Sequence, residues 1–250
     1  MSALRRAFSK PVAAGELGGY VSGFRAEGYE GLQLKGAQYE RYIDTPERAL
    51  DELGTDVGIY SGLIMGDSLD PQGLARIDKV IDFAATVGAE RIIFCHGHPH
   101  EGVDRELRRS FAQTLAGVAA SAHDRGVRFS LHHHTDQPVM VLSDFHEFFE
   151  GMEPGLLGLT VDTAHLARSG VEDLPGFIDE FGGFVDNVHL KDYADDDWRI
   201  VGRGDLDLVG VLTALDRAGY DGWLCIDEES SASLPDGFRM SREWLEAQGR

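Results

Sequence analysis

The chain has little of what disulfide-stabilised, secreted or membrane proteins need. Two cysteines occur in 250 residues, and Cys95 and Cys225 lie far apart, each inside an apolar, strand-like run. This placement favours small buried side chains in a reducing compartment over a disulfide framework. No run approaches the roughly 18 apolar residues of a membrane span, and the N-terminal residues lack the apolar centre of a signal peptide. We therefore expect a cytoplasmic protein without a membrane segment.

Positive charge is also scarce. Lysine and arginine number 23 against 43 aspartates and glutamates, which gives a formal net charge of -20. Proteins that bind nucleic acid neutralise phosphates with lysine and arginine, and a strongly acidic surface opposes such binding. The composition thus counts against nucleic acid as a substrate. With 42% hydrophobic and 26% charged residues, the chain otherwise resembles an ordinary globular protein.

What the sequence does contain is a regular alternation of strand-like and helix-like segments. Between the strands, apolar residues recur at helical spacing, and Asp70 followed by Pro71 predicts a helix start. Gly54, Gly88 and Gly126 predict helix ends. No glycine-rich phosphate loop follows the first strand, so a closed barrel is favoured over an open doubly wound sheet. The chain length suits one (β/α)₈ TIM barrel, an α/β fold, spanning residues 1–250. The predicted strands are Arg6–Ser9, Gly31–Lys35, Asp56–Tyr60, Arg91–His96, Val127–His132, Gly158–Asp162, Phe184–His189 and Trp223–Asp227.

The last four strands each end in residues of the metal-ligand type. In a barrel, the carboxyl ends of parallel strands converge on one site. Because side chains alternate along a strand, His132 and His134 share a face, whereas His133 points the other way. Four such strand ends predict a divalent-metal site. The segments are Leu131–His134, Val161–His165, Val188–Asp192 and Ile226–Glu229.

The expected ligands are one residue from each of these strands. Asp162 ends an apolar, buried run, and a buried carboxylate needs a cation or hydrogen-bond donors. Consecutive acids repel, so at least one of Asp227, Glu228 and Glu229 meets a cation; the sequence leaves the choice open, and Asp227 is the one we expect. Mixed imidazole and carboxylate ligation favours Mn²⁺, Co²⁺, Zn²⁺ or Fe²⁺ over Mg²⁺, with Mn²⁺ the first expectation. The predicted ligand set is His132, Asp162, His189 and Asp227.

A metal at this place predicts enolisation chemistry. A Lewis acid polarises a substrate carbonyl and stabilises an enediolate when the neighbouring proton is removed. Return of the proton elsewhere gives isomerisation or epimerisation, and loss of a β-hydroxyl gives dehydration. The sequence does not rank the candidate catalytic residues, which are His132, His165, Asp227 and Glu229, with His134 a further candidate base.

Several motifs resemble the xylose-isomerase-like TIM-barrel superfamily. This group contains sugar isomerases, ketose 3-epimerases, inosose dehydratases, hydroxypyruvate isomerases and the endonuclease IV enzymes. The likeness covers nearly the whole chain and is strongest from the fifth strand onward. It is specific for the superfamily rather than for one reaction. The motifs are Val161–Leu166, Val188–Asp192, Gly202–Asp207 and Gly219–Leu224.

The resemblance implies a metal held by Glu, Asp, His and Glu from strands five to eight. Asp162 and His189 match as ligands, and His165 matches a substrate-binding histidine. His132 stands where the epimerases have glutamate, and Asp227 stands where they usually have the last glutamate. These departures count against an epimerase mechanism with two glutamate bases. The histidines of strand five resemble the inosose dehydratase-like members more closely.

Substrate-binding candidates come from the remaining strand ends and from the segment where the family covers its substrate. They are Lys10, Lys35, Gln38, His96, His134, Lys191, Trp198 and Arg199. Lys191 shares a strand face with His189, so it could bind a substrate oxygen or simply pair with Asp192.

The sequence and the resemblance together predict a divalent-metal-dependent isomerase or epimerase that acts on a sugar, keto-sugar or cyclitol. An inosose-type dehydratase is the alternative. An endonuclease IV-like phosphodiesterase is disfavoured, because it needs further histidines and its substrate opposes the negative charge. A barrel without catalytic activity is a third class, because two ligand positions are altered. The family resemblance also implies a homodimer or homotetramer.

Overall fold

Eight parallel strands close into a barrel in the computed structural model, which describes residues 4–53 and 60–250. Each barrel strand pairs with its two neighbours in chain order, and the last strand closes onto the first, with Ser9 opposite Asp227. The predicted (β/α)₈ barrel is confirmed. The barrel strands are β1 Arg5–Ser9, β2 Gly31–Lys35, β3 Tyr60–Asp67, β4 Arg91–His96, β5 Arg128–His132, β6 Leu157–Asp162, β7 Val185–Leu190 and β10 Trp223–Asp227.

Helices follow the strands and cover the outside of the barrel. Asp70 accepts hydrogen bonds from the backbone N–H groups of Gln72 and Gly73, both at 2.9 Å, and Pro71 begins the helix as predicted. Gly88 ends that helix at φ +68°, while Gly54 lies outside the described residues. No helix in the described ranges is long and apolar enough to cross a membrane. The helices are α1 Leu17–Gly23, α2 Gly36–Tyr39, α3 Pro46–Leu53, α4 Pro71–Val87, α5 Arg105–His123, α6 Leu142–Phe149, α7 Thr163–Arg168, α8 Leu174–Phe181, α9 Leu208–Arg217 and α10 Leu234–Ala247, with a 3₁₀ turn at Glu40–Tyr42.

The third strand differs from its prediction. We expected Asp56–Tyr60, but the described strand begins at Tyr60 and continues to Asp67; residues 56–59 lie outside the described ranges. Small residues such as Ser61 and Gly62 suggest a turn in the sequence. In the barrel, Gly62 packs closely against the next strand, since a Cβ added to it would lie 2.7 Å from Cδ1 of Ile93. The other strands begin and end within one residue of their predicted bounds.

The strands separate an outer apolar layer from a largely polar barrel interior. Residues such as Phe8, Phe94 and Leu159 belong to the large core between strands and helices. The inner face of β10 instead presents Trp223, Cys225 and Asp227 at two-residue steps, in keeping with the alternation of side chains along a strand. The inner side chains at the carboxyl ends of the strands form the site described below.

A short hairpin lies beyond the seventh strand. Its strands, β8 (Asp192–Ala194) and β9 (Asp197–Arg199), pair in antiparallel fashion. The two turn residues, Asp195 and Asp196, have φ of +52° and +57°, as a type I′ turn requires. The Asp192 carboxylate accepts hydrogen bonds from the backbone N–H groups of Gly202 and Gly204, both at 2.9 Å. These bonds anchor the loop after the hairpin to the first hairpin strand.

Candidate metal centre

Three side chains at the barrel mouth bring one potential ligand atom each to a common point. Nε2 of His132 lies 3.1 Å from Nδ1 of His189 and 3.7 Å from Oδ2 of Asp162. Nδ1 of His189 lies 3.8 Å from the same Oδ2. All three residues are buried, and their ligand atoms lie within 4.8 Å of one another. We refer to His132, Asp162 and His189 as the ligand triad.

The second polar atom of each triad residue is held by another group. Oδ1 of Asp162 caps helix α7 by accepting the N–H groups of Ala164 and His165, at 3.0 and 2.9 Å. Nε2 of His189 lies 2.7 Å from Oε1 of Gln33. Because this oxygen can only accept, Nε2 carries the proton and Nδ1 keeps its lone pair.

The histidine of strand five is held in a similar way. Nδ1 of His132 lies 3.5 Å from Sγ of Cys95, so Nε2 is the nitrogen that faces the other two triad residues. His133 points to the opposite side, as expected. It accepts the Asp162 N–H at 2.9 Å and packs against Phe145.

The donor set fits a divalent cation. Oδ2 of Asp162 is buried and has no hydrogen-bond partner, although a buried carboxylate oxygen requires a donor or a cation. Burial raises the pKa of Asp162, but His165, Lys191 and His132 outweigh it and hold the pKa well below its usual range. Burial also lowers the pKa of His189 to about 3. Asp162 is therefore ionised and His189 neutral, the forms in which both residues bind metals. Burial lowers the pKa of His132, but Cys95 and Asp162 outweigh it and raise the pKa to about 10, so this imidazole has to release a proton when a metal binds.

Two of the acids at the end of β10 accept hydrogen bonds from lysines. Asp227 and Glu229 each accept hydrogen bonds from both Lys35 and Lys191, and we call these four residues the lysine–carboxylate cluster. Nζ of Lys35 lies 2.7 Å from Oδ1 of Asp227 and 2.7 Å from Oε1 of Glu229. Nζ of Lys191 lies 3.2 Å from Oδ2 of Asp227 and 2.5 Å from Oε2 of Glu229. Asp227, expected as a metal ligand, lies 3.8 Å from Nδ1 of His189 but directs both oxygens to the lysines.

Aromatic rings form a wall beside this cluster. The ring of Trp198 lies 4.5 Å from Nζ of Lys191 and 5.1 Å from the ring of His165. The ring centroids of His134 and His165 are 3.8 Å apart. Burial lowers the pKa of His165 to about 2, so this imidazole is neutral. Of the substrate-side candidates, Lys35, His134, Lys191 and Trp198 thus lie together with His165.

Two candidates from the first strands serve the surrounding framework. The amide of Gln38 accepts the backbone N–H of Lys35 at 2.7 Å and donates to the carbonyl of Lys10 at 2.8 Å. Nζ of Lys10 lies 3.6 Å from Oε1 of Glu228. Lys10 follows Ser9 by one residue, and Glu228 follows Asp227 by one residue. Strand alternation therefore turns the side chains of Lys10 and Glu228 away from the cluster.

Two further candidates lie away from the triad. His96 packs against Phe111 of helix α5, with ring centroids 4.2 Å apart, because it occupies the outer face of β4. Arg199 pairs with Asp197 at 2.8 Å and Asp195 at 3.4 Å. These partners hold its guanidinium on the exposed side of the hairpin, opposite in alternation to Trp198.

Gln33 and Cys95 are the site residues that sequence reasoning missed. Gln33 lies two residues before Lys35, and Cys95 lies on the inner face of β4. We expected Cys95 as a small buried hydrophobe, yet it contacts a triad histidine. Alternation from Lys35 could have placed Gln33 on the inner face, but nothing in the sequence indicates that it reaches His189, 156 residues away.

Comparison with known proteins agrees with this architecture. The chain is 22% identical over 248 residues to an inosose dehydratase of Clostridium perfringens, covering 86% of this chain and 82% of that protein. Among solved structures, it superposes on a 3-keto-D-glucoside 4-epimerase from E. coli with a TM-score of 0.77 at 16% identity, covering 97% of this chain and 99% of that one. It also matches the IolI protein with a bound zinc atom, with a TM-score of 0.76 at 14% identity, covering 98% and 96%. The model of the xylose isomerase-like TIM barrel family matches residues 24–248. The chain therefore belongs to the xylose isomerase-like TIM barrel family.

Proposed function

We propose that this protein is a divalent-metal-dependent enzyme that enolises a keto-sugar or keto-cyclitol, with loss of water as the overall reaction. The observation that carries the proposal is the unpartnered Oδ2 of buried Asp162, which faces two imidazole nitrogens at the barrel mouth. His132, Asp162 and His189 would hold the ion. When bound, it supplies a Lewis acid that polarises the substrate carbonyl.

Glu229 is the base in this proposal. Its side chain is 27% exposed, whereas that of Asp227 is 3% exposed, so Glu229 is the carboxylate that a substrate in the barrel mouth can reach. Lys35 and Lys191 hold its two oxygens in place. Glu229 removes the proton next to the carbonyl. The same carboxyl group then gives that proton to the β-hydroxyl, which leaves as water.

Dehydration is favoured over epimerisation because one carboxyl group suffices for it. Epimerisation through an enolised substrate needs proton transfer on both faces of the carbon. On β5, His132 stands where the epimerases have glutamate, and its Nε2 belongs to the ligand triad. Similarity to an inosose dehydratase over 86% of the chain supports the same choice.

The test is incubation of the metal-loaded protein with an inosose, and separately with ketoses, in D₂O. Proton NMR and the ultraviolet absorption of a conjugated ketone follow the reaction. We expect a water-loss product from the inosose and no epimer from the ketoses. Glu229→Gln should abolish the product while leaving the metal content unchanged. An epimer with deuterium at the inverted carbon would show the epimerase reaction instead, and no exchange with any ketone would refute enolisation.

A further inference from the structure

We propose that this chain holds its metal with three protein ligands and that Asp227, the acid at the end of β10, stays outside the coordination shell. This inference rests on the metal site of the proposed function. It departs from the four-ligand set expected from the sequence, and it concerns which of this chain's own residues meet the ion.

The ligand triad shows a common arrangement that Asp227 does not share. In each triad residue, one polar atom is occupied by a neighbour and the other faces the shared point. Gln33 occupies His189, the start of helix α7 occupies Asp162, and Cys95 contacts His132. Each residue therefore presents one oriented donor atom, as the surroundings of metal ligands generally ensure.

Asp227 has no such free atom. Its Oδ1 accepts from Lys35 and its Oδ2 from Lys191. Lys191 is 1% exposed, so withdrawing the carboxylate would remove a partner from a buried ammonium group, which is costly. Its Oδ2 lies 3.8 Å from Nδ1 of His189, but among the described residues the ligand atoms that all lie within 4.8 Å of one another are those of the triad, without Asp227.

The two acids that follow Asp227 at the end of β10 do not replace it as a ligand. Both oxygens of Glu229 accept from the same two lysines. Glu228 faces away from the site, where its Oε1 accepts the backbone N–H of Ser230 at 2.8 Å and lies 3.6 Å from Lys10. The end of β10 thus contributes carboxylates to the lysine–carboxylate cluster and no ligand to the metal.

Two consequences follow for the bound ion. A shell with two imidazole nitrogens and one carboxylate oxygen favours Zn²⁺, Co²⁺ or Fe²⁺ over Mg²⁺, which prefers oxygen ligands. An octahedral ion would also keep three positions for substrate and water, one more than with four protein ligands.

The experiment is calorimetric titration of chelator-stripped protein with Co²⁺ and Zn²⁺. We expect Asp162→Asn to weaken binding by about hundredfold, since it replaces the only negatively charged ligand of the triad with a neutral amide. Asp227→Asn should change the dissociation constant by less than about threefold, as should the matched control Glu229→Gln. Lys191→Met should tighten binding, because it releases one oxygen of Asp227. Thermal melting of each variant verifies that it is folded.

The outcomes separate this inference from the proposed function. Absence of divalent-metal binding by the wild-type protein would remove the metal site and the proposed function with it. Metal binding by the wild type that Asp227→Asn weakens as much as Asp162→Asn would overturn the inference alone. If Asp227→Asn does not fold, the visible spectrum of Co²⁺ in Lys191→Met decides. A spectrum that changes as the carboxylate enters the shell supports the inference, and one identical to wild type opposes it.

Discussion

Replacing Gln33 by leucine should weaken metal binding although Gln33 is not one of the three proposed ligands. Its Oε1 lies 2.7 Å from Nε2 of His189, and its Nε2 donates to Oδ1 of Asn187 at 2.7 Å. Leucine has similar volume but no acceptor, so nothing would select the tautomer of His189 that has its lone pair on Nδ1. Removing such a partner typically costs about 10- to 100-fold in metal affinity, or about 1.4–2.7 kcal/mol.

The same substitution should lower stability by a separate route. Oδ1 of Asn187 is buried and would lose its donor, which costs about 1–3 kcal/mol. A chain of this length loses about 2–4 °C for each kcal/mol, so we expect the melting temperature of the metal-free protein to fall by about 2–12 °C.

Gln33→Glu is the matched control, because its carboxylate still accepts from Nε2 of His189. Competition with a chelator of known affinity measures the dissociation constant of each variant, and calorimetry measures the melting temperature. We expect Gln33→Glu to bind metal as well as the wild type and Gln33→Leu to bind it more weakly. Equal affinity of Gln33→Leu and wild type, or equal weakening in both variants, would refute the role assigned to Gln33.

Three further predictions concern the surroundings of the site. Trp198→Ala should raise the KM for the substrate by about tenfold, which corresponds to a loss of about 1.4 kcal/mol in binding free energy, with unchanged metal content. An unchanged KM in steady-state kinetics would contradict a covering role for this ring. In thiol titration of the folded protein, the partly exposed Cys95 should react, and bound metal should slow its reaction, whereas the buried Cys225 should react only after unfolding. Cys95→Ala should abolish the early reaction, and an early reaction that persists in this variant would contradict the assignment. Burial lowers the pKa of His96 from 6.5 to about 4, so the unfolded chain binds this proton between pH 6.5 and 4 and the folded chain does not. The contribution of His96 to the free energy of unfolding is therefore complete above pH 6.5 and is lost as the pH falls, by about 2 kcal/mol at pH 5. In urea unfolding, His96→Gln should lose less free energy of unfolding than the wild type between pH 7 and 5, and equal losses would refute this prediction.

The barrel was predictable because its signals are local. Periodic apolar residues, the Asp70–Pro71 helix start and the regular strand spacing each depend on a few neighbouring residues. The end of the third strand was predicted at Tyr60, whereas the strand continues to Asp67, because Ser61 and Gly62 resemble a turn. Gly62 packs closely against Ile93 on the next strand, a contact that a local pattern does not contain.

The site was predictable in part for the same reason. Alternation along β5 correctly separated His132 from His133, and the strand ends brought Asp162 and His189 together. Alternation also places His96 and Arg199 on the faces opposite Cys95 and Trp198, and so away from the triad. The sequence does not show which partner each side chain meets there, because Phe111 belongs to another element of the folded chain.

Local sequence patterns suffice to predict the barrel and the types of donor atoms at its mouth, because strand and helix periodicity is a local property and parallel strands end on the same side. How those donors are shared depends on contacts between residues that are distant in sequence. Lys35 and Asp227 are 192 residues apart, and their contact arises from closure of the barrel. Once the lysines lie within 2.7–3.2 Å of its two oxygens, Asp227 is satisfied by ammonium groups, whereas Asp162 keeps one oxygen free beside two imidazoles.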